Sequence, residues 1–251
     1  MMKIVAVIPA RYQSSRFEGK PLAEICGKLM IERVYLQAKQ VKEFSEVYVA
    51  TDDDRIFNAC QERGIKVIMT STSHRTGTDR IGEVAEKVPA DLYVNIQGDE
   101  PLIEPETIRA AIVPYLENPD TGIMVTNLMT EIHDPVDLIN FTVPKVIAAA
   151  DGRGVFLTRS AAPFPKGNIN VKYYKQVCVY AFRPEALKFY CDYGKQYGKA
   201  KVESVEDIEI LRFIENGYHV HYIEVQSETI AVDTPNDLQR VIEYMQANHI
   251  E

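Results

Sequence analysis

Residues 4–22 of the chain are IVAVIPARYQSSRFEGKPL, an apolar run followed directly by a basic segment that contains two serines. The run Ile4–Ile8 predicts a buried strand, because short continuous apolar runs are typical of strands covered on both faces. Parallel sheets bind their ligands at the carboxyl ends of the strands, which is where the basic segment begins. We therefore expect residues 9–22 to form a ligand-binding loop at the edge of an α/β sheet.

The segments after this loop alternate between strand and helix patterns as far as about residue 116. Strand patterns occur at 47–50, 66–69 and 92–96, and helix patterns at 30–38, 53–63, 78–87 and 104–116. Alternation with short links predicts right-handed βαβ units and a parallel sheet.

From about residue 120 the strand patterns become denser. They occur at 124–130, 145–149, 168–182 and 219–225, with helix patterns at 205–214 and 235–247. The sequence shows no internal repeat, low-complexity tract or linker. We predict a single domain over 1–251 with a smaller β-rich insertion at approximately 120–185.

The composition of the chain excludes several classes of protein. Its 251 residues are 46% hydrophobic and 25% charged, as is ordinary for a globular protein. No apolar run approaches the roughly 20 residues that a membrane-spanning helix needs, and the amino terminus does not resemble a signal peptide. We therefore expect no membrane insertion and a cytoplasmic location. The four scattered cysteines have no CxxC spacing, which indicates neither a zinc site nor a disulfide framework.

The charge of the chain is distributed unevenly. The formal net charge of −8 argues against nucleic acid as a partner, because non-specific binding needs a basic face. Residues 1–42 hold eight Lys/Arg and three Asp/Glu, a net of +5, so the remainder carries −13. A small anionic ligand at the basic segment is consistent with this distribution.

The loop after the first strand is suited to phosphate groups. Arg11, Arg16 and Lys20 supply cationic donors, and Ser15 and Gly19 supply a hydroxyl and an accessible backbone N–H. Neither the GxxxxGK[ST] nor the GxGxxG pattern is present. The alternative is a solvated basic loop without a ligand.

Two carboxylates are candidate metal ligands. Asp99 follows the strand at 92–96, where it could hold Mg²⁺, which takes few carboxylates together with phosphate oxygens and water. Asp233 could hold a second metal or a pyrophosphate-bridging Mg²⁺. The alternative for each is capping of the helix that follows.

Other polar segments have weaker functional interpretations. Thr51–Asp54 is similar to the DxD metal triplet of sugar transferases, but the helix that follows favours capping. The hydroxyl-rich stretch 70–80 suits nucleobase and ribose recognition, or it is the start of a helix at Thr78. His219 and His221 point to one face of a strand, and no third ligand lies near them in sequence.

Taken together, six segments resemble the 3-deoxy-manno-octulosonate cytidylyltransferases over nearly the whole chain. They are PARYQSSRFEGKPL at 9–22, YVATDD at 48–53, MTSTSHRTGTDR at 69–80, VNIQGDEPLI at 94–103, YKQVCVYAF at 174–182 and VDTPNDL at 232–238. The resemblance implies a nucleotide-sugar-transferase-like fold, with a mostly parallel sheet flanked by helices and a β-rich dimerisation subdomain. It also implies a homodimer that uses CTP, Mg²⁺ and a 3-deoxy-ulosonic acid.

The resemblance also implies roles for individual residues. The implied reaction is attack of the anomeric hydroxyl of the sugar acid on the α-phosphorus of CTP, with release of pyrophosphate. The catalytic residues would be Lys20, Arg16 and Asp99, and magnesium would be held by Asp99 and Asp233. The nucleotide would be bound by Arg11, Ser15, Arg16, Lys20, Thr78 and Arg80, and the sugar acid by Gln97, Arg159, Gln176, Tyr180, Glu206 and Ile210.

Three positions depart from the pattern of the family. Glu18 stands where the family usually has Pro, Gln176 where it has His, and Ile210 where it has Gln. The last two positions face the sugar in the family, and altered hydrogen-bonding groups change substrate preference. Alternative functions are therefore the same chemistry on an 8-amino octulosonate or a nonulosonic acid, or a catalytically silent nucleotide-binding homologue. The sequence leaves open whether lipopolysaccharide, capsule or another glycan receives the sugar.

Overall fold

The computed structural model of the protein describes residues 2–14, 16–167, 170–227 and 230–250. The chain forms two compact units, one made of residues 1–109 and 228–251 and the other of residues 110–227. The second unit contains more residues than the β-rich insertion expected at 120–185. The reason is that residues 220–224 form a strand that pairs with residues 125–129. The segment between those strands therefore belongs to the same unit.

The first unit contains a parallel sheet, as predicted. Its four principal strands are β1 (Ile4–Ala10), β4 (Phe44–Thr51), β5 (Val67–Met69) and β6 (Leu92–Ile96), and a short hairpin contains β2 (Glu24–Ile25) and β3 (Lys28–Leu29). The order of the four is β6-β1-β4-β5, and every neighbouring pair is parallel. The strand β1 therefore lies inside this sheet, and the basic loop leaves from its carboxyl end.

The first three helices of the chain connect these strands, and a fourth follows β6. They are α1 (Met30–Ala38), α2 (Asp54–Glu62), α3 (Gly77–Lys87) and α4 (Pro105–Ala110). Helix α1 buries an apolar face that includes Ile31, Val34 and Ala38, each with no exposed area. Burial of that face against β1 and β4 stabilises the unit by roughly 25 cal/mol per Å² of apolar surface.

The single helix predicted at 104–116 is wrong, because the segment forms two short helices. Helix α4 ends at Ala110, and α5 spans Val113–Glu117 with Pro114 in its first turn. Proline has no N–H to donate to the carbonyl of residue 110, and its ring clashes with that carbonyl in a continuous helix. The break therefore follows from one residue.

The second unit contains mainly antiparallel strands. They are β7 (Val125–Glu131), β8 (Lys145–Ala148), β9 (Gly154–Thr158), β10 (Tyr174–Phe182) and β11 (Val220–Glu224). Strand β7 is antiparallel to β10 and parallel to β11, while β8 is antiparallel to both β9 and β10. The strand predicted at 168–182 begins only at Tyr174, and Asn168 and Ile169 lie outside the described residues.

The helices of the second unit are α6 (Pro135–Ile139), α7 (Pro184–Tyr197), α8 (Lys201–Glu206) and α9 (Leu211–Glu215), besides α5. The one helix predicted at 205–214 is wrong, because the chain leaves the helical conformation at Asp207, where φ is 51°. The Arg159 guanidinium donates to the carbonyls of Glu206 at 2.5 Å and Asp207 at 3.0 Å. These bonds satisfy carbonyls at the end of α8, so a distant arginine contributes to ending the helix.

The chain returns to the first unit and ends in α10 (Pro235–Ala247), whose bounds match the prediction. Thr234 and Asp237 form a capping box, and Pro235 occupies the first helical position. Val241 and Met245 of α10 are fully buried in a cluster with Ile25 and Met30. Among the described residues, no helix has the length and apolar character needed to cross a membrane.

Candidate active site

The basic loop is closed on itself where it leaves β1. The N–H of Gly19 donates to the carbonyl of Tyr12 at 2.8 Å, and Gly19 has a φ of 70°, which a residue without a Cβ adopts at low cost. Phe17 packs against the apolar cluster that includes Met30. Arg11 donates to the carbonyl of His74 at 3.1 Å, and Ser15 lies outside the described residues.

Lys20, Asp99 and Asp233 meet at one point, although they are far apart in sequence. The Lys20 ammonium lies 2.9 Å from the Asp99 carboxylate and 3.5 Å from the Asp233 carboxylate. Arg16 forms two contacts with Asp233, at 3.0 and 3.1 Å. The structure therefore brings together two of the three candidate phosphate-binding cations and both candidate metal-binding carboxylates.

The backbone around this cluster fixes the two carboxylates. Asp99 lies in the turn after β6, and its carbonyl accepts a hydrogen bond from the N–H of Val232 at 2.8 Å. Asp233 follows Val232 and immediately precedes the Thr234 cap of α10. The Asp99 carboxylate binds Lys20, and the helix that follows begins only at Pro105, so the capping interpretation of Asp99 is wrong.

Asp99 and Asp233 are the two side chains of this cluster that could hold a divalent metal together with a phosphate ligand. Mg²⁺ takes one or two carboxylates and fills its remaining positions with substrate phosphate oxygens and waters. Asp99 and Asp233 converge on one cation and supply this number of carboxylates. Among the described residues, no group of three or more His, Cys, Asp or Glu side chains could hold a metal ion. His219 and His221 therefore belong to no such group.

Arg80 and Thr78, the other candidate nucleotide ligands, are buried at the start of α3. The Arg80 side chain has no exposed area and pairs with Asp52 at 2.8 Å, while it also contacts the Thr70 hydroxyl. Its Nε is buried without a hydrogen-bond partner among the described residues. The helix begins at the Thr76 cap, two residues before the start proposed at Thr78. The roles of Arg80 and Thr78 toward a nucleotide stay predictions.

The capping interpretation of Thr51–Asp54 is confirmed. The Asp53 side chain accepts from the N–H of Arg55 at 2.9 Å and caps α2. Asp52 is committed to Arg80, as described above. Asp52 and Asp53 are therefore engaged with other protein groups. This arrangement does not favour a DxD metal motif of the kind found in sugar transferases.

Arg159 and Glu206, two candidate sugar ligands in the second unit, are direct neighbours. Glu206 accepts from the N–H of Arg159 at 2.9 Å and from the hydroxyl of Thr158 at 2.8 Å. Besides its bonds to α8, the Arg159 guanidinium donates to the carbonyls of Phe141 and Thr142, at 3.1 and 3.2 Å. This arginine is therefore held in one orientation by the protein.

Gln176 lies beside a bulge in β10, where the register against β7 shifts between Val177 and Tyr180. The buried Asn127 amide donates to the carbonyls of Val177 at 3.0 Å and Val179 at 2.8 Å, and it accepts from Gln176 at 2.8 Å. These two carbonyls require donors, so the Asn127 oxygen must face the Gln176 nitrogen. The carbonyl oxygen of Gln176 is thereby directed away from Asn127.

The other candidate sugar ligands differ in exposure. Tyr180 and Ile210 are buried, with 6% and 2% of their surface exposed. Burial raises the pKa of Tyr180 well above its usual range, so its hydroxyl stays protonated. Gln97, in the first unit, is half-buried just beyond β6. The sugar-binding roles of all three stay predictions.

Two contacts around the candidate site were missed by sequence reasoning. Asn127 is the one amide side chain in the strand predicted at 124–130, whose other residues are apolar or threonine, and this was a usable signal. The Arg55 guanidinium lies 3.2 Å from the centroid of the Tyr12 ring, at the start of the basic loop. Arginine–aromatic stacking between separate motifs has no local sequence signal.

Comparison with known proteins agrees with these observations. The family model described as cytidylyltransferase matches residues 5–230. A 3-deoxy-manno-octulosonate cytidylyltransferase of Geobacter sulfurreducens is 42% identical, over 96% of this chain and 99% of the relative. A protein of the same name from Fusobacterium nucleatum is 39% identical over the full length of both chains.

Solved structures show the same relationship. A CMP:2-keto-3-deoxy-manno-octonic acid synthetase complexed with CTP has a TM-score of 0.90 and 38% identity, over 98% of this chain and 99% of that one. The 4-diphosphocytidyl-2C-methyl-D-erythritol synthase of Anaerococcus prevotii, at 18% identity and a TM-score of 0.64, shares the fold. By family model, sequence identity and fold, the chain belongs to the cytidylyltransferase family and, within it, groups with the 3-deoxy-manno-octulosonate cytidylyltransferases.

Proposed function

We propose that the protein transfers CMP from CTP to the anomeric hydroxyl of 3-deoxy-manno-octulosonate and releases pyrophosphate. The observation that carries this proposal is the cluster of Arg16, Lys20, Asp99 and Asp233 at the carboxyl ends of β1 and β6. It combines cations for a triphosphate with carboxylates for a metal. Relatives that cover nearly the whole chain carry the corresponding name.

In the proposed reaction the anomeric oxygen attacks the α-phosphorus, and the bond from that phosphorus to the β-phosphate oxygen breaks. The hydroxyl proton is released to solvent, and no covalent enzyme intermediate is needed. Arg16 and Lys20 would bind the β- and γ-phosphates and offset the charge that develops on the leaving pyrophosphate. Such catalysis by positioning and electrostatics is general for phosphoryl transfer.

We propose that Asp99 and Asp233 hold Mg²⁺ when CTP is bound. The bound metal would withdraw electron density from phosphate oxygens and lower the pKa of a nearby hydroxyl. Lys20 and Arg16 occupy the same carboxylates in the free protein, so both cations must release them. The triphosphate offers these cations new anionic partners.

For the sugar acid, we propose Arg159, Glu206, Gln176, Tyr180 and Ile210 of the second unit as ligands. The carbonyl oxygen of Gln176, turned away from Asn127, suits a hydroxyl donor of the sugar. An 8-amino octulosonate also offers a donor at this oxygen, and a nonulosonic acid is the third acceptor to compare.

The test is pyrophosphate release from CTP with these three acids at equal concentration. We expect 3-deoxy-manno-octulosonate to give the highest kcat/KM, and the Asp99→Asn variant to lose turnover with all three. A preference for another acid would correct the acceptor. CTP binding without pyrophosphate release from any acid would support a silent nucleotide-binding homologue.

We also propose that the protein is a homodimer assembled through the second unit. This unit exposes several large apolar side chains, and α6 has no buried residue. Exposed fractions are 75% for Ile139, 73% for Phe141 and 86% for Phe164. Clustered exposed apolar side chains are typical of interaction surfaces, and Ile139 and Phe141 lie two positions apart in the chain.

The dimer is tested by light scattering on the wild type and on an Ile139→Ser/Phe141→Ser variant. We expect a dimer for the wild type and a monomer with unchanged circular dichroism for the variant. A wild-type protein that stays monomeric at tens of micromolar would contradict the proposal.

A further inference from the structure

We propose that Tyr12 and Arg55 form a brace that holds the phosphate-binding loop in its binding conformation, so that Arg55 is a positioning residue for CTP. The brace consists of the Tyr12 ring, the Arg55 guanidinium and the Asp53 carboxylate. This inference rests on the proposed function of the loop, and it adds a residue outside the cluster of cations and carboxylates.

Tyr12 contacts Gly19, near the far end of the loop, and Arg55, in the first turn of α2. Its carbonyl accepts from the N–H of Gly19 at 2.8 Å, which closes the loop. A Cβ placed on Gly19 would lie 3.2 Å from the Tyr12 ring, so the ring is in contact with the far end of the loop. The same ring lies 3.2 Å from the Arg55 guanidinium.

Arg55 is itself fixed by the helix on which it lies. Asp53 accepts from the Arg55 Nε at 2.9 Å and Nη2 at 2.7 Å, a bidentate pair with defined orientation. The same carboxylate caps α2 through the N–H of Arg55. A side chain anchored to a helix cap thus stacks on the residue that closes the loop.

The position of the loop decides where its cations lie. Lys20 immediately follows Gly19, and Arg16 lies between the two residues joined by the Tyr12–Gly19 bond. A Tyr12–Gly19 contact that is already formed lowers the entropy cost of positioning Lys20 when the ligand binds. The brace therefore strengthens CTP binding although Arg55 is not placed on the nucleotide.

The first test measures the loop without any ligand. Hydrogen exchange of the Gly19 amide, followed by NMR, should be at least about fivefold faster in Arg55→Ala than in the wild type, because loss of the stacking contact loosens the loop. Arg63→Ala, which removes an arginine at the other end of α2, is the matched control. Equal exchange in Arg55→Ala and the wild type would overturn the brace.

The second test measures CTP binding by calorimetry. Arg55→Ala and Tyr12→Leu should each weaken CTP binding by about three- to tenfold, while the KM for the sugar acid changes by less than about twofold. The double variant should bind CTP no more weakly than the weaker-binding single variant, because the two changes remove the same contact. Arg55→Lys, which keeps a cation for the ring, should recover part of the loss.

The outcomes separate this inference from the proposed function. Two results would overturn the brace and leave the proposed function intact. One is a loss of CTP affinity in the double variant equal to the product of the two single losses. The other is CTP binding in Arg55→Ala equal to that of the wild type. Wild-type protein that does not bind CTP would refute the proposed function. The Gly19 exchange experiment would still decide whether the brace exists.

Discussion

Replacement of Lys20 by methionine should strengthen the binding of a divalent metal to the protein without nucleotide. The Lys20 ammonium neutralises Asp99 at 2.9 Å and Asp233 at 3.5 Å, the two carboxylates proposed to hold Mg²⁺. A metal that binds the free protein must displace this ammonium. Methionine has a similar length and no charge, so it removes the competitor with little change in volume.

The magnitude follows from the bonds that the metal must break. Hydrogen bonds to charged groups contribute about 1.5–3 kcal/mol. The Lys20 and Asp99 side chains are 17% and 23% exposed, so partial solvent screening favours the lower end of this range. A gain of about 1.4 kcal/mol is a tenfold change in the dissociation constant, and we therefore expect about tenfold tighter metal binding.

The assay is a titration with Mn²⁺ followed by electron paramagnetic resonance, at low salt and without CTP. Lys39→Met, on an exposed lysine at the end of α1, is the matched control and should leave the affinity unchanged. Lys20→Met/Asp99→Asn should lose the gain. Unchanged or weaker Mn²⁺ binding in a folded Lys20→Met variant would refute the competition between lysine and metal.

Two further predictions concern stability. Arg212→Leu should destabilise the protein by about 3–5 kcal/mol in urea unfolding, because it leaves the Glu203 carboxylate buried without the bidentate partner at 2.7 Å; a loss below about 1 kcal/mol would contradict this. Burial alone would raise the pKa of Glu83. Hydrogen bonds from Lys87, the Ser71 N–H and His74 outweigh burial and lower the pKa of Glu83 to about 2. Glu83→Gln should therefore cost about 2 kcal/mol at pH 7, and the difference from the wild type should shrink as the pH falls from about 4.5 toward 2, since the ionised form is favoured only by the folded state. A difference that persists unchanged at pH 2 would contradict the assignment.

Several elements of the fold could be predicted from local sequence alone. The bounds of α1, β6 and α10 agree with their patterns, because apolar periodicity and the Thr234–Asp237 cap are local features. The family relationship also follows from motifs that keep their order along the chain.

Other features depend on partners that are distant in sequence. The end of α8 is stabilised by Arg159, and the Asp233 carboxylate meets Lys20 across 213 positions. The stacking of Arg55 on Tyr12 likewise joins two separate motifs. No window of local sequence contains both members of such a pair, so these contacts become visible only when the chain is folded.

The transfer of CMP from CTP to a sugar acid is the reaction proposed for this protein. Phosphorus NMR of the purified protein with CTP, Mg²⁺ and 3-deoxy-manno-octulosonate tests it most directly. We predict equal amounts of pyrophosphate and one new CMP-sugar phosphodiester, with no signal from either in the absence of the sugar acid. Release of inorganic phosphate with CDP, or no consumption of CTP, would contradict the claim.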